Sequence, residues 1–268
     1  MKIARIDLDG TERWGVIDDD VIRTSDSDIP LAELAAAQLD RSVPRSDTRL
    51  LAPVDVTSKV LCVGLNYRDH ILEMGRELPS HPVLFTRFPD SLVGPEEPLV
   101  LPRASEEYDY EGELAIVIGR HGRAIAEENT LDHVLGYTLL NDGSLRDFQR
   151  HTIRFTAGKN FEASGAIGPW IVTRDEVGLL SERRIRTRVN GEVRQESDLG
   201  QFVFDVSRLV SYISTWTPLR PGDIIATGTP AGVGASFDPP KWLRAGDRVE
   251  IDVDGIGTLA NPVVAEGN

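Results

Sequence analysis

The sequence predicts an α+β fold that is mostly β, and three observations lead to this prediction. Asp-Gly or Asn-Gly pairs stand between runs of alternating apolar and polar residues at Asp9-Gly10, Asn190-Gly191 and Asp254-Gly255, which is the pattern of tight β-hairpins. Short branched apolar runs that end at glycine or asparagine are typical of buried strands. A clear helical spacing of apolar side chains is found over residues 204–215.

The N-terminal part of the chain is predicted to form a small unit of its own. Its first hairpin is followed by a short helix over 29–39, because Pro30 suits a helix start and apolar residues then recur on one face. Residues 40–56 show no periodicity and are interpreted as a linker or a loop draped over the surface. We therefore predict a small N-terminal domain with its linker over 1–56 and a larger main domain over 57–268.

Composition limits the possible functions. The formal charge of −14 at pH 7 argues against general binding to nucleic acid or membranes, although a local group of cations still admits an anionic substrate. No stretch approaches the roughly 18 apolar residues of a membrane span, and the first residues lack the apolar core of a signal peptide. The single cysteine, Cys62, lies in an apolar run and is predicted to be a buried small hydrophobe. These features predict a cytoplasmic protein.

Two carboxylates stand at the start of a predicted buried strand. Glu111 and Glu113 begin an apolar run over 114–118, which Gly119 ends. Side chains two apart in a strand point to the same face, whereas in a helix they lie about 200° apart. Like charges on one face repel each other, so either one carboxylate is protonated or a cation lies between them. We favour the cation.

A third carboxylate, Asp142, follows the strand predicted over 134–141. Together the three carboxylates form the donor set that a hard cation such as Mg²⁺ prefers. The residues alone leave an alternative open, in which the carboxylates are buried ion-pair partners of Arg146 and Arg120.

The residues after Asp142 carry helix-start chemistry. The sequence Asp142-Gly143-Ser144 suits an N-cap, and the helix that it would begin includes Arg146 and Gln149. These two residues are three apart and share a face, so both are expected to reach toward whatever Asp142 holds.

His70 and Glu73 are three apart and would be neighbours on one helical turn. A carboxylate beside an imidazole fixes its tautomer and raises its basicity, which suits a general base that activates water. The spacing fits equally a surface pair on a solvated helix. The flanking residues are polar and contain glycine, so a segment that closes over bound substrate is a further expectation.

Two glycine-containing segments invite comparison with phosphate-binding loops. Gly158-Lys159 lacks the required glycine five positions earlier, and residues 228–234 do not have the glycine spacing of a dinucleotide site. Lysine is rare in this arginine-rich chain, so Lys159 is interpreted as a compact point charge. The loop over 228–234 is either a tight turn or a place where backbone N–H groups and the Thr229 hydroxyl approach a carboxylate.

Ordered segments over about residues 59–262 resemble the fumarylacetoacetate hydrolase family. They are Val63-Gly64-Leu65-Asn66-Tyr67-Arg68-Asp69-His70, Asp109-Tyr110-Glu111-Gly112-Glu113-Leu114, Gly136-Tyr137, Asn141-Asp142, Arg146-Asp147-Phe148-Gln149, Gly158-Lys159, Gly168-Pro169-Trp170, Asn190-Gly191-Glu192, Pro221-Gly222-Asp223 and Thr227-Gly228-Thr229-Pro230.

This resemblance implies a mixed β-roll with a small N-terminal α/β unit, usually assembled as a homodimer. It implies a Mg²⁺ site, or a Mn²⁺ or Ca²⁺ site in some members, with the ligands Glu111, Glu113 and Asp142. The implied catalytic residues are His70, Glu73 and Lys159. The implied substrate-binding residues are Arg146, Gln149 and Thr229.

The function that the resemblance implies is chemistry on a small anionic 2-oxo acid. We favour a divalent-metal-dependent hydrolase that cleaves a C–C bond in a β-diketo acid, such as an acylpyruvate or fumarylacetoacetate, through a metal-bound enolate, because His70 and Glu73 would activate water. The alternative is a decarboxylase or isomerase of an oxaloacetate-like or 2-hydroxyhepta-2,4-diene-1,7-dioate-like acid.

The chain departs from the family pattern at a few positions. Arg87 stands where many members have lysine, and Gly143 and Leu145 replace a more usual valine or tryptophan and an alanine. Asn160 and Glu162 replace the frequent serine and aspartate after the lysine. These changes are expected to affect the shape of the pocket, and with it the identity of the substrate.

Overall fold

A computed structural model describes residues 1–68, 71 and 77–267 of the chain. In chain order its strands are β1 (Lys2–Leu8), β2 (Thr11–Asp18), β3 (Val21–Thr24), β4 (Arg41–Pro44), β5 (Arg49–Leu51), β6 (Val60–Gly64), β7 (Val83–Arg87), β8 (Leu92–Val93), β9 (Leu99–Leu101), β10 (Tyr108–Asp109), β11 (Gly112–Ile118), β12 (Val134–Asn141), β13 (Ser144–Leu145), β14 (Gly165–Thr173), β15 (Arg184–Val189), β16 (Glu192–Asp198), β17 (Ile224–Ala226), β18 (Arg248–Val253) and β19 (Gly257–Ala265).

The helices of the described residues are short, apart from one. They are α1 (Arg146–Gln149), α2 (Thr156–Lys159), α3 (Arg174–Val177) and α4 (Val206–Trp216). Short 3-10 helices of three to seven residues lie at Leu31–Ala36, Arg45–Asp47, Pro89–Ser91, Glu127–His133, Leu180–Glu182, Leu199–Gln201 and Gly234–Ser236. None of the described helices is long and apolar enough to cross a membrane. The prediction of a mostly β fold is confirmed.

A large mixed sheet forms the body of the molecule. Its strand order is β4-β3-β2-β1-β14-β12-β11-β17-β6-β7, with β5 beside β1 and β8 beside β14. A second sheet, in the order β16-β15-β18-β19-β9, packs against the middle strands β11, β12 and β14 of the first. Because both faces of these middle strands are covered, their sequences are almost continuously apolar and their side chains are buried.

Side chains of β11 alternate between two apolar clusters. Leu114, Ile116 and Ile118 lie in one cluster, and Ala115 and Val117 lie in the other. This alternation is the two-residue period of a strand, so the odd-numbered residues share a face.

The N-terminal strands extend the large sheet rather than forming a sheet of their own. Strand β1 pairs with β14, with Lys2 opposite Val172 and Ile3 opposite Ile171. The predicted hairpin at Asp9-Gly10 is present, because Leu8 pairs with Thr11 across it. The division of the chain into two domains stays a prediction.

Two predictions for the N-terminal region are wrong in detail. The helix predicted over 29–39 is a shorter 3-10 helix, Leu31–Ala36. Residues 40–56 are not a structureless linker, since they contain strands β4 and β5. Both strands are three or four residues long and half-exposed, so they bury too little apolar surface to leave a periodic signal.

Helix α4 agrees with the prediction over 204–215. It begins after Asp205, whose carboxylate accepts a hydrogen bond from the Arg208 backbone N–H at 2.9 Å. Its apolar face is buried, whereas Trp216 at its C-terminal end is exposed.

Candidate metal centre and active site

The site lies where several strand ends meet at one edge of the large sheet. Strand β11 begins where the antiparallel strand β12 ends, since Gly112 pairs with Asn141. Strand β17 runs antiparallel to β11 and is followed by the loop over 228–234, which therefore returns toward the start of β11. Polar side chains just before β11, just after β12 and just after β17 are thereby brought together.

Glu111, Glu113 and Asp142 form a buried carboxylate triad. One ligand oxygen from each residue lies within 4.8 Å of the other two. Glu113 and Asp142 are almost fully buried, and Glu111 is 7% exposed. The prediction from strand parity that Glu111 and Glu113 point the same way is confirmed, and Asp142 joins them from the neighbouring strand.

Lys159 places an ammonium group between two members of the triad. Its Nζ lies 2.8 Å from Glu111 Oε2 and 2.7 Å from Asp142 Oδ2. The side chain is buried at the end of helix α2, and Nζ lies 5.1 Å from the centre of the Phe85 ring. The ammonium group of Lys159 thus contacts two carboxylates, which agrees with the interpretation of Lys159 as a compact point charge.

Arg146 is held by three side chains. Its Nε donates to Asp109 Oδ2 at 2.8 Å, and its Nη1 donates to Gln149 Oε1 at 2.8 Å. Its Nη2 lies 2.7 Å from Glu111 Oε1, an ion pair on the oxygen that Lys159 leaves free. Metal binding and ion pairing, which the sequence posed as alternatives, therefore involve the same carboxylates. Arg120, the other cation of that alternative, is exposed.

The two glutamates of the triad differ in their electrostatic surroundings. Burial opposes ionisation of Glu111, but Lys159 and Arg146 outweigh it and lower the pKa of its carboxyl to about 2. Burial, Asp142 and Glu111 together raise the pKa of Glu113 well above its ordinary value. Among the described residues, the Gly228 N–H donates to Glu113 Oε2 at 2.8 Å. Ionisation of Glu113 would thus add a negative charge that the described neighbouring side chains do not neutralise.

A cavity of about 550 Å³ opens onto the triad. Its buried wall includes Glu111, Glu113, Lys159 and Thr229. Its outer wall is formed by the segment between α1 and α2, where Ile153 is 84% exposed. Gln149 and Arg146 also line the cavity, so the three predicted substrate-binding residues and Lys159 share one space with two of the predicted metal ligands.

Thr229 is fixed from both sides. Its Oγ1 accepts a hydrogen bond from Gln195 Nε2 at 2.8 Å and donates to the Gly112 carbonyl at 3.1 Å. Gln195 Oε1 in turn accepts from the Gly112 N–H at 2.9 Å, and Gly112 lies between the two glutamates of the triad.

His70 and Glu73, the predicted catalytic pair, lie outside the described residues, so their arrangement stays a prediction.

The helix predicted to include Arg146 and Gln149 is present, but the prediction that residues 142–144 supply its N-cap is wrong. Helix α1 begins after Leu145 without a side-chain cap, and Ser144 belongs to strand β13. The Asp142 carboxylate instead pairs with Lys159 and with Arg87, whose Nη1 lies 2.7 Å from Oδ1. Two buried cations are stronger partners for a carboxylate than a solvated backbone N–H group.

Sequence reasoning missed three residues around the site. They are Arg87, which contacts Asp142, Gln195 with its two hydrogen-bonding partners, and Asp109, which contacts Arg146. Each of these contacts joins segments that are far apart in the chain. Two signals pointed to them: the departure from lysine at position 87, and the place of Asp109 at the start of a segment that resembles the family.

Comparisons with known proteins agree with this architecture. Residues 59–264 match the family described as "Fumarylacetoacetate (FAA) hydrolase C-terminal", and residues 1–53 match the one described as "Rv2993c-like, N-terminal". The chain is 40% identical over 245 residues to the protein named "Oxaloacetate tautomerase fahd2, mitochondrial" of Xenopus laevis, covering 91% of this chain and 77% of that protein.

Two solved structures are similar over nearly their whole length. A 2-hydroxyhepta-2,4-diene-1,7-dioate isomerase from Mycobacterium marinum is 37% identical, with a TM-score of 0.86 and coverage of 100% of both chains. A fumarylacetoacetate hydrolase from Exiguobacterium antarcticum is 38% identical, with a TM-score of 0.86, covering 99% of this chain and 100% of that chain. The β framework is that of a family of enzymes. The chain belongs to the fumarylacetoacetate hydrolase family.

Proposed function

We propose that this protein is a divalent-metal-dependent tautomerase or isomerase of a small 2-oxo dicarboxylic acid of the oxaloacetate type. This is the alternative reading of the sequence rather than the hydrolase that we favoured there. The observation that carries the proposal is the buried triad of Glu111, Glu113 and Asp142, because its two glutamates line one cavity together with Lys159 and Thr229. The names of the tautomerase and isomerase relatives support the reaction class.

The triad fits a hard divalent cation. Mg²⁺, Mn²⁺ and Ca²⁺ prefer oxygen ligands at about 2.0–2.6 Å, so two oxygens on one ion lie no more than roughly 5 Å apart. The ligand oxygens of the triad meet this limit. The raised pKa of Glu113 points the same way, because a cation would offset the charge that burial and two neighbouring carboxylates make costly. A bound cation would supply Lewis acidity toward the oxygens of a 2-oxo acid.

The cavity residues are suited to hold an anionic substrate. The Thr229 hydroxyl, which now donates to the Gly112 carbonyl, is able to turn its proton to a substrate carboxylate while Gln195 continues to donate to its oxygen. Gln149 and Arg146 line the same cavity. Burial lowers the pKa of Lys159, but Asp142 and Glu111 outweigh it and raise the value, which keeps the ammonium protonated as a donor beside a developing oxyanion.

Tautomerisation needs a proton to leave carbon 3 of the acid and a proton to reach its 2-oxo oxygen. We assign the oxygen proton to Lys159, whose Nζ donates to Glu111 and Asp142 of the triad. We assign the carbon proton to His70 on the sequence argument alone. The predicted homodimer is retained as part of the proposal.

Hydrolysis of a β-diketo acid is the second candidate. Its support is the similarity to the Exiguobacterium antarcticum fumarylacetoacetate hydrolase, and it requires a base that activates water. That role falls to His70 and Glu73.

The test is to assay the purified protein on oxaloacetate, following the absorbance of the enol, and in parallel on an acylpyruvate. We expect accelerated keto–enol exchange with Mg²⁺ or Mn²⁺, and loss of that acceleration with EDTA or in Glu113→Gln. Glu196→Gln, a matched change on the exposed face of β16, should leave the rate unchanged. Undiminished exchange in metal-free protein would contradict the metal requirement, and acylpyruvate cleavage without exchange would favour the hydrolase.

A further inference from the structure

Arg87 is a buried arginine that does not line the cavity. Its side chain is 0% exposed, and it stands at the end of strand β7. A fully buried guanidinium is costly unless each of its N–H groups has a partner, so its contacts indicate what it is for.

Every nitrogen of the Arg87 guanidinium is used. Nη1 donates to Asp142 Oδ1 at 2.7 Å and to the Gly143 carbonyl at 2.8 Å. Nη2 donates to Ser164 Oγ at 2.9 Å and to the Ser91 carbonyl at 3.2 Å, and Nε donates to Ser91 Oγ at 3.1 Å. One side chain therefore joins the residues after β12 to those before β14 and to the turn after β7.

The Asp142 carboxylate is oriented by this contact. Arg87 binds Oδ1, so the other oxygen, Oδ2, is the one that faces Lys159 and the triad. Because Nη1 also binds the next carbonyl along the chain, at Gly143, the guanidinium fixes both the carboxylate and the backbone that carries it.

The surroundings are shaped for a planar guanidinium. A Cβ added at Gly165 would lie 2.6 Å from Arg87 Nη2, and one added at Gly143 would lie 1.9 Å from the Ser164 carbonyl oxygen. Because both positions are glycine, there is room for the planar guanidinium of Arg87 and for the residues that it binds. A lysine ammonium has three donors on a point charge and is unable to reproduce five donors in one plane.

We propose that Arg87 is the positioning residue of the metal centre, which holds Asp142 so that Oδ2 is presented to the cation. This inference rests on the cation-binding site of the proposed function. Groups that orient a metal ligand from behind typically contribute about 10- to 100-fold to metal affinity.

The experiment is Mn²⁺ titration calorimetry on the full chain, with Arg87→Lys compared with wild type and with Ser164→Ala. The lysine variant keeps the positive charge but loses the planar arrangement of five N–H donors. The alanine variant removes one acceptor of the same guanidinium but leaves its contact with Asp142. We expect the Mn²⁺ dissociation constant to rise about 10- to 100-fold in Arg87→Lys and to stay at the wild-type value in Ser164→Ala.

Circular dichroism and the melting temperature of the metal-free variants separate positioning from general damage. Equal Mn²⁺ affinity in wild type and Arg87→Lys overturns the inference, and so does a loss of affinity in Ser164→Ala that matches the loss in Arg87→Lys. If Arg87→Lys does not fold, Arg87→Gln, which keeps a planar amide donor, replaces it with the same expectation. Wild-type protein that does not bind Mn²⁺ overturns the proposed function itself, which is a different result from unchanged binding in the variant.

Discussion

Gln195 is a buried side chain of the second sheet that reaches both parts of the candidate site. Its amide accepts from the Gly112 N–H and donates to Thr229 Oγ1 and to the Pro230 carbonyl, the last at 2.9 Å. It therefore fixes the peptide between the two glutamates of the triad and the hydroxyl proposed to hold a substrate carboxylate. A single residue far from both in sequence sets their separation.

Replacement of Gln195 by leucine should weaken substrate binding. The change leaves two acceptors and one donor buried without partners, each costing about 1–3 kcal/mol of unfolding free energy. Because Thr229 loses the donor that orients it, we expect KM for the 2-oxo acid to rise more than kcat falls. Steady-state kinetics and urea unfolding measure the two effects, and a fall in kcat at constant KM would contradict this role.

Thr187 offers a matched control on the adjacent strand. Its Oγ1 is buried without a hydrogen-bond partner among the described residues. Thr187→Val has nearly the same shape and removes that unsatisfied hydroxyl, so the unfolding free energy should stay the same or rise by about 1 kcal/mol. Kinetic constants should stay at wild-type values.

The residue scale also shows what local pattern is able to predict. The two-residue period of a strand placed Glu111 and Glu113 on one face correctly, because that period depends on neighbouring residues alone. The contact between Arg87 and Asp142 spans 55 residues and depends on how the sheet curves, which no local pattern contains. Two positions that depart from the family pattern, Arg87 and Gly143, proved to be in contact.

At the scale of elements, strand β10 ties helix α1 to the loop after β17. Asp109 on β10 accepts from the backbone N–H groups of Gly234 and Ala235, at 2.6 and 3.0 Å, and from Arg146. One carboxylate thus fixes the position of an arginine that lines the cavity relative to the loop that carries Thr229.

Asp109→Asn should therefore destabilise the protein strongly. It removes one partner of a buried ion pair and leaves the Arg146 charge less compensated, a change that typically costs about 3–5 kcal/mol. The same substitution at Asp198, whose pair with Arg184 is half-exposed, should cost no more than about 1 kcal/mol. Equal losses in the two variants, measured by urea unfolding, would contradict the structural role of Asp109.

Elements with little buried surface were the ones that the sequence did not reveal. Strand β4 exposes every second residue, and strand β5 pairs along only three positions. The apolar pattern of each strand is therefore too short to show a recognisable period. Helix α4 and strands β11 and β12 bury a full face or both faces, and the sequence located them within two residues.

At the scale of the whole molecule, ionisation of the complete triad leaves its charge unbalanced among the described residues. Four carboxylates there face three cations: Asp109, Glu111, Glu113 and Asp142 against Arg87, Arg146 and Lys159. Since burial and the other two carboxylates raise the pKa of Glu113, the metal-free protein loses stability as the pH rises above the ordinary pKa of a glutamate and through the raised pKa of Glu113.

Glu113→Gln should therefore stabilise the metal-free protein while removing its response to metal. In EDTA the variant should unfold at a higher urea concentration than wild type. With Mg²⁺ or Mn²⁺ at about 100 times its dissociation constant, wild type should gain about 2.7 kcal/mol and the variant almost nothing. A variant that is less stable than wild type in EDTA would contradict this account of the charge.

The strand order of the large sheet also affects when its strands are able to pair during synthesis of the chain. Strand β17 lies between β11 and β6, and β14 lies between β12 and β1, so early segments have neighbours that the ribosome makes much later. Strand β6 keeps one edge unpaired until residue 226 has been synthesised, and β1 waits for β14 until residue 172. Such long-range pairing slows folding and leaves open strand edges exposed. Nascent chains of this protein should therefore depend on chaperones most strongly before β17 emerges.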